Sequence, residues 1–132
     1  MASMNNSGSA KTESANHLEA FIYRVPKKNH DAIVKNLKKF MSWFEENGVG
    51  LEYYQFGNSE AMEGMESMIK TLSVAEDEEI WMELQYFKDM QHCKEIYAKM
   101  MQDKKVEPLG TEFFGLITQG KSVVTGGFSR LR

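Results

Sequence analysis

The sequence predicts an α+β fold, in which helices lie on one face of a four-stranded antiparallel sheet. Three observations carry that reading. Four short segments alternate with the two-residue period of a strand. Two longer ones repeat apolar residues at the spacing of a one-sided helix. Their order is strand, helix, strand, strand, helix, strand, which is the ferredoxin-like βαββαβ arrangement.

Taken in order, the small polar residues 1–16 read as a disordered tail, and residues 17–132 as a single domain. Leu18 to Val25 is the first strand, stopped by Pro26, which cannot donate a ladder hydrogen bond. Asn29 is a good N-cap and Asp31 suits the first turn of the helix that follows. Ile33, Leu37, Phe40 and Phe44 form its apolar stripe, and Asn47-Gly48 closes it. Leu51 to Phe56 is the second strand. Glu60 to Glu78 is ambiguous between a short helix over 60–69 and a short strand over 70–74, because Met62, Met65, Ile69 and Leu72 recur at helical spacing.

Glu79 to Phe87 is the strand around which the sheet is organised. Ile80, Met82, Leu84 and Tyr86 share one face; Trp81, Glu83, Gln85 and Phe87 share the other. Asp89 caps a second helix whose stripe is Met90, Cys93, Tyr97, Met100 and Met101. Pro108 and Gly110 break the chain, and Glu112 to Thr118 reads as a turn of helix against the sheet. Ser122 to Leu131 is the last strand, with Gly126-Gly127 marking a bulge or a close backbone approach.

The uniformly apolar face of the third strand is expected to lie under the helices. That leaves Phe21, Tyr23, Trp81 and Phe87, with Tyr53 or Tyr54, on a bare aromatic face. A monomer seldom exposes such a patch. A second copy packed sheet to sheet would cover it, giving a homodimeric α/β barrel.

Composition narrows the function. A formal charge of −3, with 16 basic and 19 acidic residues, argues against nucleic acid as a partner. No apolar run approaches the length of a membrane span, and no signal-peptide core is seen. The one cysteine, Cys93, suits a reducing cytoplasm and forms no internal disulfide.

The segments Phe21 to Asn29 (FIYRVPKKN), Gly50 to Tyr53 (GLEY) and Gly126 to Phe128 (GGF) resemble the DUF1428 family. Phe114-Gly115 and Gly120-Lys121 stand near the place where that family carries Pro-Phe-Asp-Gly-Lys-Arg, within a different sequence. The resemblance implies the dimeric α/β-barrel fold and a dimer. It supplies no catalytic residues.

The residues themselves nominate a cleft on the aromatic face. Glu83 is the candidate acid–base group, because a carboxyl among apolar side chains has a raised pKa. Trp81, Gln85, Tyr23, Glu19, Tyr54 and His17 are the candidate ligand contacts. The competing role for Glu83 is an ion pair with Arg24 or Arg130 at a dimer seam. His17, His30 and His92 share no ligand spacing, and Met62, Met65 and Met68 have no His or Cys partner, so no metal and no cofactor are expected. Cys93 reads as an inert buried thiol. Two functions follow. One is a cytoplasmic homodimer that binds a small, partly apolar molecule in the cleft, with metal-free turnover at Glu83. The other is a non-catalytic protein whose aromatic face serves only dimerisation and protein interaction.

Overall fold

A computed structural model of the chain describes residues 12–57 and 60–132. Its elements are β1 (His17–Pro26), α1 (His30–Glu46), β2 (Gly50–Gln55), α2 (Met68–Thr71), β3 (Glu78–Phe87), α3 (Met90–Gln102), α4 (Glu107–Leu116) and β4 (Val124–Ser129). The strands form one sheet in the order β2-β3-β1-β4, and every neighbouring pair is antiparallel. This is the predicted α+β architecture.

Local chemistry explains most boundaries. The Asp89 side chain accepts from the His92 N–H at 2.7 Å and starts α3 as expected. Asn29 does not cap α1; its amide instead donates to the Leu116 carbonyl at 2.8 Å, tying α1 to the end of α4. Pro108 and Gly110 do not break the chain. They lie inside α4, because a proline in the first helical turn gives up an N–H that has no intrahelical acceptor. Between β2 and β3 the only regular element among the described residues is α2, four residues long, and no strand forms at 70–74. Met62 and Met65 are exposed there, so they fill no core.

Residues 1–11 of the expected tail lie outside the described residues. Residues 12–16 are held against the sheet. Ala15 is buried, the Arg130 N–H donates to the Asn16 carbonyl at 2.9 Å, and the Arg130 guanidinium donates to the carbonyls of Ala15 and Thr12.

The faces of the sheet are the reverse of those expected. α1, α3 and α4 cover Tyr23, Val25, Trp81 and Phe87, and Ile80, Met82, Leu84 and Tyr86 point to the other side. The aromatic face is therefore covered within a single chain. The physical reason is that its bulky rings give the helices most to pack on, while its polar side chains satisfy one another (below).

The core is split. One cluster gathers Tyr23, Val25, Ile33, Leu37, Trp81 and Ile117; the other gathers Phe44, Val49, Leu51, Phe87, Cys93 and Ile96. Phe40 and Tyr53 touch both. Glu83 and Gln85 sit on β3 between them, and there the packing opens.

Candidate functional site

Between the two clusters lies a cavity of about 810 Å³. That is within the usual range for a small-molecule site, roughly 300–1,000 Å³. Its floor is the helix-covered face of the sheet, at Phe21, Tyr23, Glu83 and Gln85. Leu37, Phe40 and Phe44 of α1 form one wall, and Tyr97 and Met100 of α3 another. α4 contributes Gly110, Phe113 and Phe114. Gly110 lacks a side chain where a Cβ would meet nothing within 4 Å, which keeps that wall thin. Phe114 and Met101 are largely exposed and stand at the rim.

Register places the polar groups. On the covered face Tyr53 of β2, Glu83 of β3 and Phe21 of β1 form one row across the sheet. Leu51, Gln85 and Glu19 form the next, and Gly127 of β4 extends it. Tyr23 donates from its hydroxyl to Glu83 Oε1 at 3.5 Å, and Gln85 Nε2 donates to Glu83 Oε2 at 2.6 Å. The Tyr97 hydroxyl donates to Gln85 Oε1 at 2.5 Å and so fixes which way that amide faces. Each carboxyl oxygen of Glu83 thus has a donor, and a lysine or arginine is among neither of these partners. Arg24 instead pairs with Glu78 at 3.3 Å, and Arg130 serves the carbonyls of residues 12 and 15.

Burial dominates the electrostatics. It pushes the Glu83 carboxyl up to about 7, against the two hydrogen bonds that favour its ionised form. Burial also raises the Tyr23 and Tyr53 hydroxyls well above their ordinary value, and the charge of Glu83 raises them further. Tyr23, Tyr53 and Tyr97 are all held neutral, and Tyr23 and Tyr97 donate to Glu83 and Gln85. Glu83 is the group in the cavity that changes charge near neutrality.

The sequence-nominated residues divide. Glu83, Gln85 and Tyr23 converge on the cavity. Trp81 does not line it: its ring packs in the Tyr23–Val25–Ile33 cluster, and its indole N–H donates to Glu79 Oε1 at 2.9 Å. His30 Nδ1 meets the same carboxylate at 2.7 Å. Tyr54 is 43% exposed on the opposite face, because the odd-numbered residues of β2 point to the helices; Tyr53 takes the place expected of it. Glu19 and His17 are bonded to each other, His17 Nε2 to Glu19 Oε2 at 2.5 Å, one row and more away from Glu83.

Sequence reasoning missed two contributors. Tyr97 was placed in the apolar stripe of its helix, yet nothing in that spacing signalled that its hydroxyl would clamp Gln85. Gly110 of α4 is hidden by reading the Pro108–Gly110 stretch as a break, with a proline at a helix start as the available signal; Phe113 lies in the segment expected as a turn of helix against the sheet, but not as a cavity wall. In α3 itself Cys93 and Ile96 are buried, while Met90 and Met101 are exposed.

No helix among the described residues is long and apolar enough to cross a membrane. Among proteins with curated descriptions, none matches this chain. The family described as "Protein of unknown function (DUF1428)" matches residues 16–115, a span that takes in β1 through nearly all of α4 and hence Tyr23, Glu83, Gln85 and Tyr97. The chain belongs to the DUF1428 family.

Proposed function

We propose that this protein binds a small, largely apolar molecule in the sheet–helix cavity and that Glu83 exchanges a proton with it. The single observation that supports this reading most is a buried carboxyl on the floor of a largely apolar cavity of about 810 Å³. A structural carboxylate would sit against a cation. Glu83 is held by neutral donors, which fix its rotamer and leave its charge free to change. Protonated, it donates to an acceptor atom on the ligand; ionised, it takes a proton from a weakly acidic carbon or hydroxyl. Tyr23 and Gln85 hold the two carboxyl oxygens in both states, since the Tyr23 hydroxyl rotates to donate or accept.

The working unit is proposed to be a cytoplasmic homodimer joined through the sheet. The face available for this is the one the helices leave bare. Leu18, Ala20, Ile22, Met82 and Leu84 are half-buried there, and Val124 and Phe128 are more than half exposed. Tyr86 donates to Glu52 at 2.6 Å within that face, so its polar atoms are already satisfied. A two-fold axis over it would bury apolar surface on both copies, about 800 Å² per partner for an interface of standard size. The aromatic rings that the non-catalytic alternative would use for association lie under the chain's own helices, so that reading too would have to use the open face.

Native mass spectrometry of untagged protein taken directly from cells tests both parts. Two chains carrying a retained small molecule are expected, with the molecule lost when Gly110→Phe fills the cavity. A lone subunit sinks the dimer. An empty protein, whose Gly110→Phe variant binds apolar dyes as well as the wild type does, sinks the cavity reading.

A further inference from the structure

We propose that His17, Glu19 and Cys93 together bind one divalent transition-metal ion of the zinc class, on the helix-covered side of the sheet beside β4. The inference does not depend on the role given to Glu83. An imidazole nitrogen of His17, a carboxylate oxygen of Glu19 and Cys93 Sγ all lie within 4.8 Å of one another, and His17 Nε2 stands 2.5 Å from Glu19 Oε2. Tetrahedral zinc ligands, with metal–ligand lengths of about 2.0–2.3 Å, stand roughly 3.3–3.6 Å apart. To reach that arrangement the His17–Glu19 contact of 2.5 Å opens by about an ångström.

The fold brings these groups together from distant parts of the chain. His17 and Glu19 are two residues apart on β1 and so share the covered face. Cys93 descends from the first turns of α3, whose start is fixed by the Asp89 cap. His17 is further steadied by the Phe87 ring, at 6.2 Å between centroids. His17 and Cys93 are buried, while the Glu19 side chain keeps 17% of its surface exposed and gives an ion a way in.

A second observation comes from the opposite strand. Gly127 of β4 is the register partner of Glu19. A Cβ at that position would run into the Glu19 carboxylate, and would stand 3.1 Å from His17 Cε1. The glycine that the sequence marked as a close approach therefore leaves room for the two β1 donors. It cradles this cluster.

The donor set selects the ion. One imidazole nitrogen, one carboxylate oxygen and one sulfur suit zinc or cobalt; magnesium and calcium require oxygen ligands. Three protein ligands leave a fourth position for water or a small ligand. Glu19 is the register partner of Gln85, which lines the cavity, so the ion would border it. Binding releases protons in a defined way. The Cys93 thiol proton leaves to solvent as the S–metal bond forms, and a proton on His17 Nε2 moves to Nδ1 or leaves as that nitrogen ligates.

The test uses the untagged full chain stripped with a chelator, then titrated with Zn²⁺ or Co²⁺ alone. One ion per chain is expected, with release of at least one proton. The Co²⁺ form should show thiolate-to-metal charge-transfer absorption and the strong visible bands of tetrahedral cobalt. Cys93→Ser should abolish the charge-transfer band, and His17→Gln should weaken Zn²⁺ affinity at least tenfold. No stoichiometric ion, or a bound ion without the thiolate band, overturns the proposal. The wild-type cobalt spectrum decides the matter even if a variant fails to fold.

Discussion

The two faces of this sheet differ in a way that runs against their composition. From Ile80 to Tyr86 the even-numbered face of β3 is apolar or aromatic, yet α1, α3 and α4 pack on the other side, against the odd-numbered face that carries Glu83 and Gln85. Apolar purity thus did not decide which side became the interior. Two physical quantities did. The odd face offers Tyr23, Trp81 and Phe87, whose large ring areas dominate the gain on burial. Its polar groups bond to one another through Tyr23, Gln85 and Tyr97, so that burying them leaves few stranded atoms.

The sharpest way to break the comparison is to remove a ring from the covered face. Trp81→Ala should cost about 3–5 kcal/mol in chemical denaturation, by loss of buried area and the cavity left behind. A cost below about 1 kcal/mol would mean that the covered face is not the core. The next effect concerns the carboxyl. Glu83 stays protonated in the folded protein up to about pH 7, whereas in the unfolded chain it ionises near its ordinary value of about 4.3. The folded state then binds the extra proton between those values. Stability from this group is full below the lower value, falls as pH rises, and is lost above about 7. The total is of the order of 3 kcal/mol. Glu83→Gln should match the wild type at acid pH, flatten that part of the stability–pH curve, and be the more stable of the two at pH 8.

Smaller effects sharpen the picture at its edges. Gly110→Ala on the cavity wall should raise stability by roughly 0.5–1 kcal/mol, because alanine favours the helix and its methyl meets nothing. On the open face, Val124→Lys should change the stability of the single chain by no more than about 0.5 kcal/mol. It should nonetheless convert the proposed dimer to monomer in sedimentation or native mass spectrometry. If the subunit count does not change, the open face is not the interface.

Much of the frame was legible along the chain. The two-residue period found all four strands to within about two residues, and the Asp89 cap and the Gly48 stop marked helix ends correctly because those signals act through neighbouring backbone groups. What failed had a partner distant in sequence. Asn29 looked like a cap, but the Leu116 carbonyl, 87 residues away, claimed its amide. Tyr54 and Tyr53 were equivalent until β2 settled its register on β3. The site was legible in part: Glu83, Gln85 and Tyr23 stood out because polar groups among large rings on one strand face are unusual. Tyr97 and α4 did not, since their contribution depends on where α3 and α4 come to rest.

By itself, then, the sequence determined the four strands, the two long helices, their order and which residues alternate along each strand, because alternation, helical spacing and caps are short-range properties. Which side of the sheet turned inward was left to tertiary packing, and so was the gap between the two core clusters. Those outcomes depend on whether three helices can cover a set of rings while leaving most buried polar atoms a partner. That is a property of the assembled volume, and no segment of the chain carries it alone.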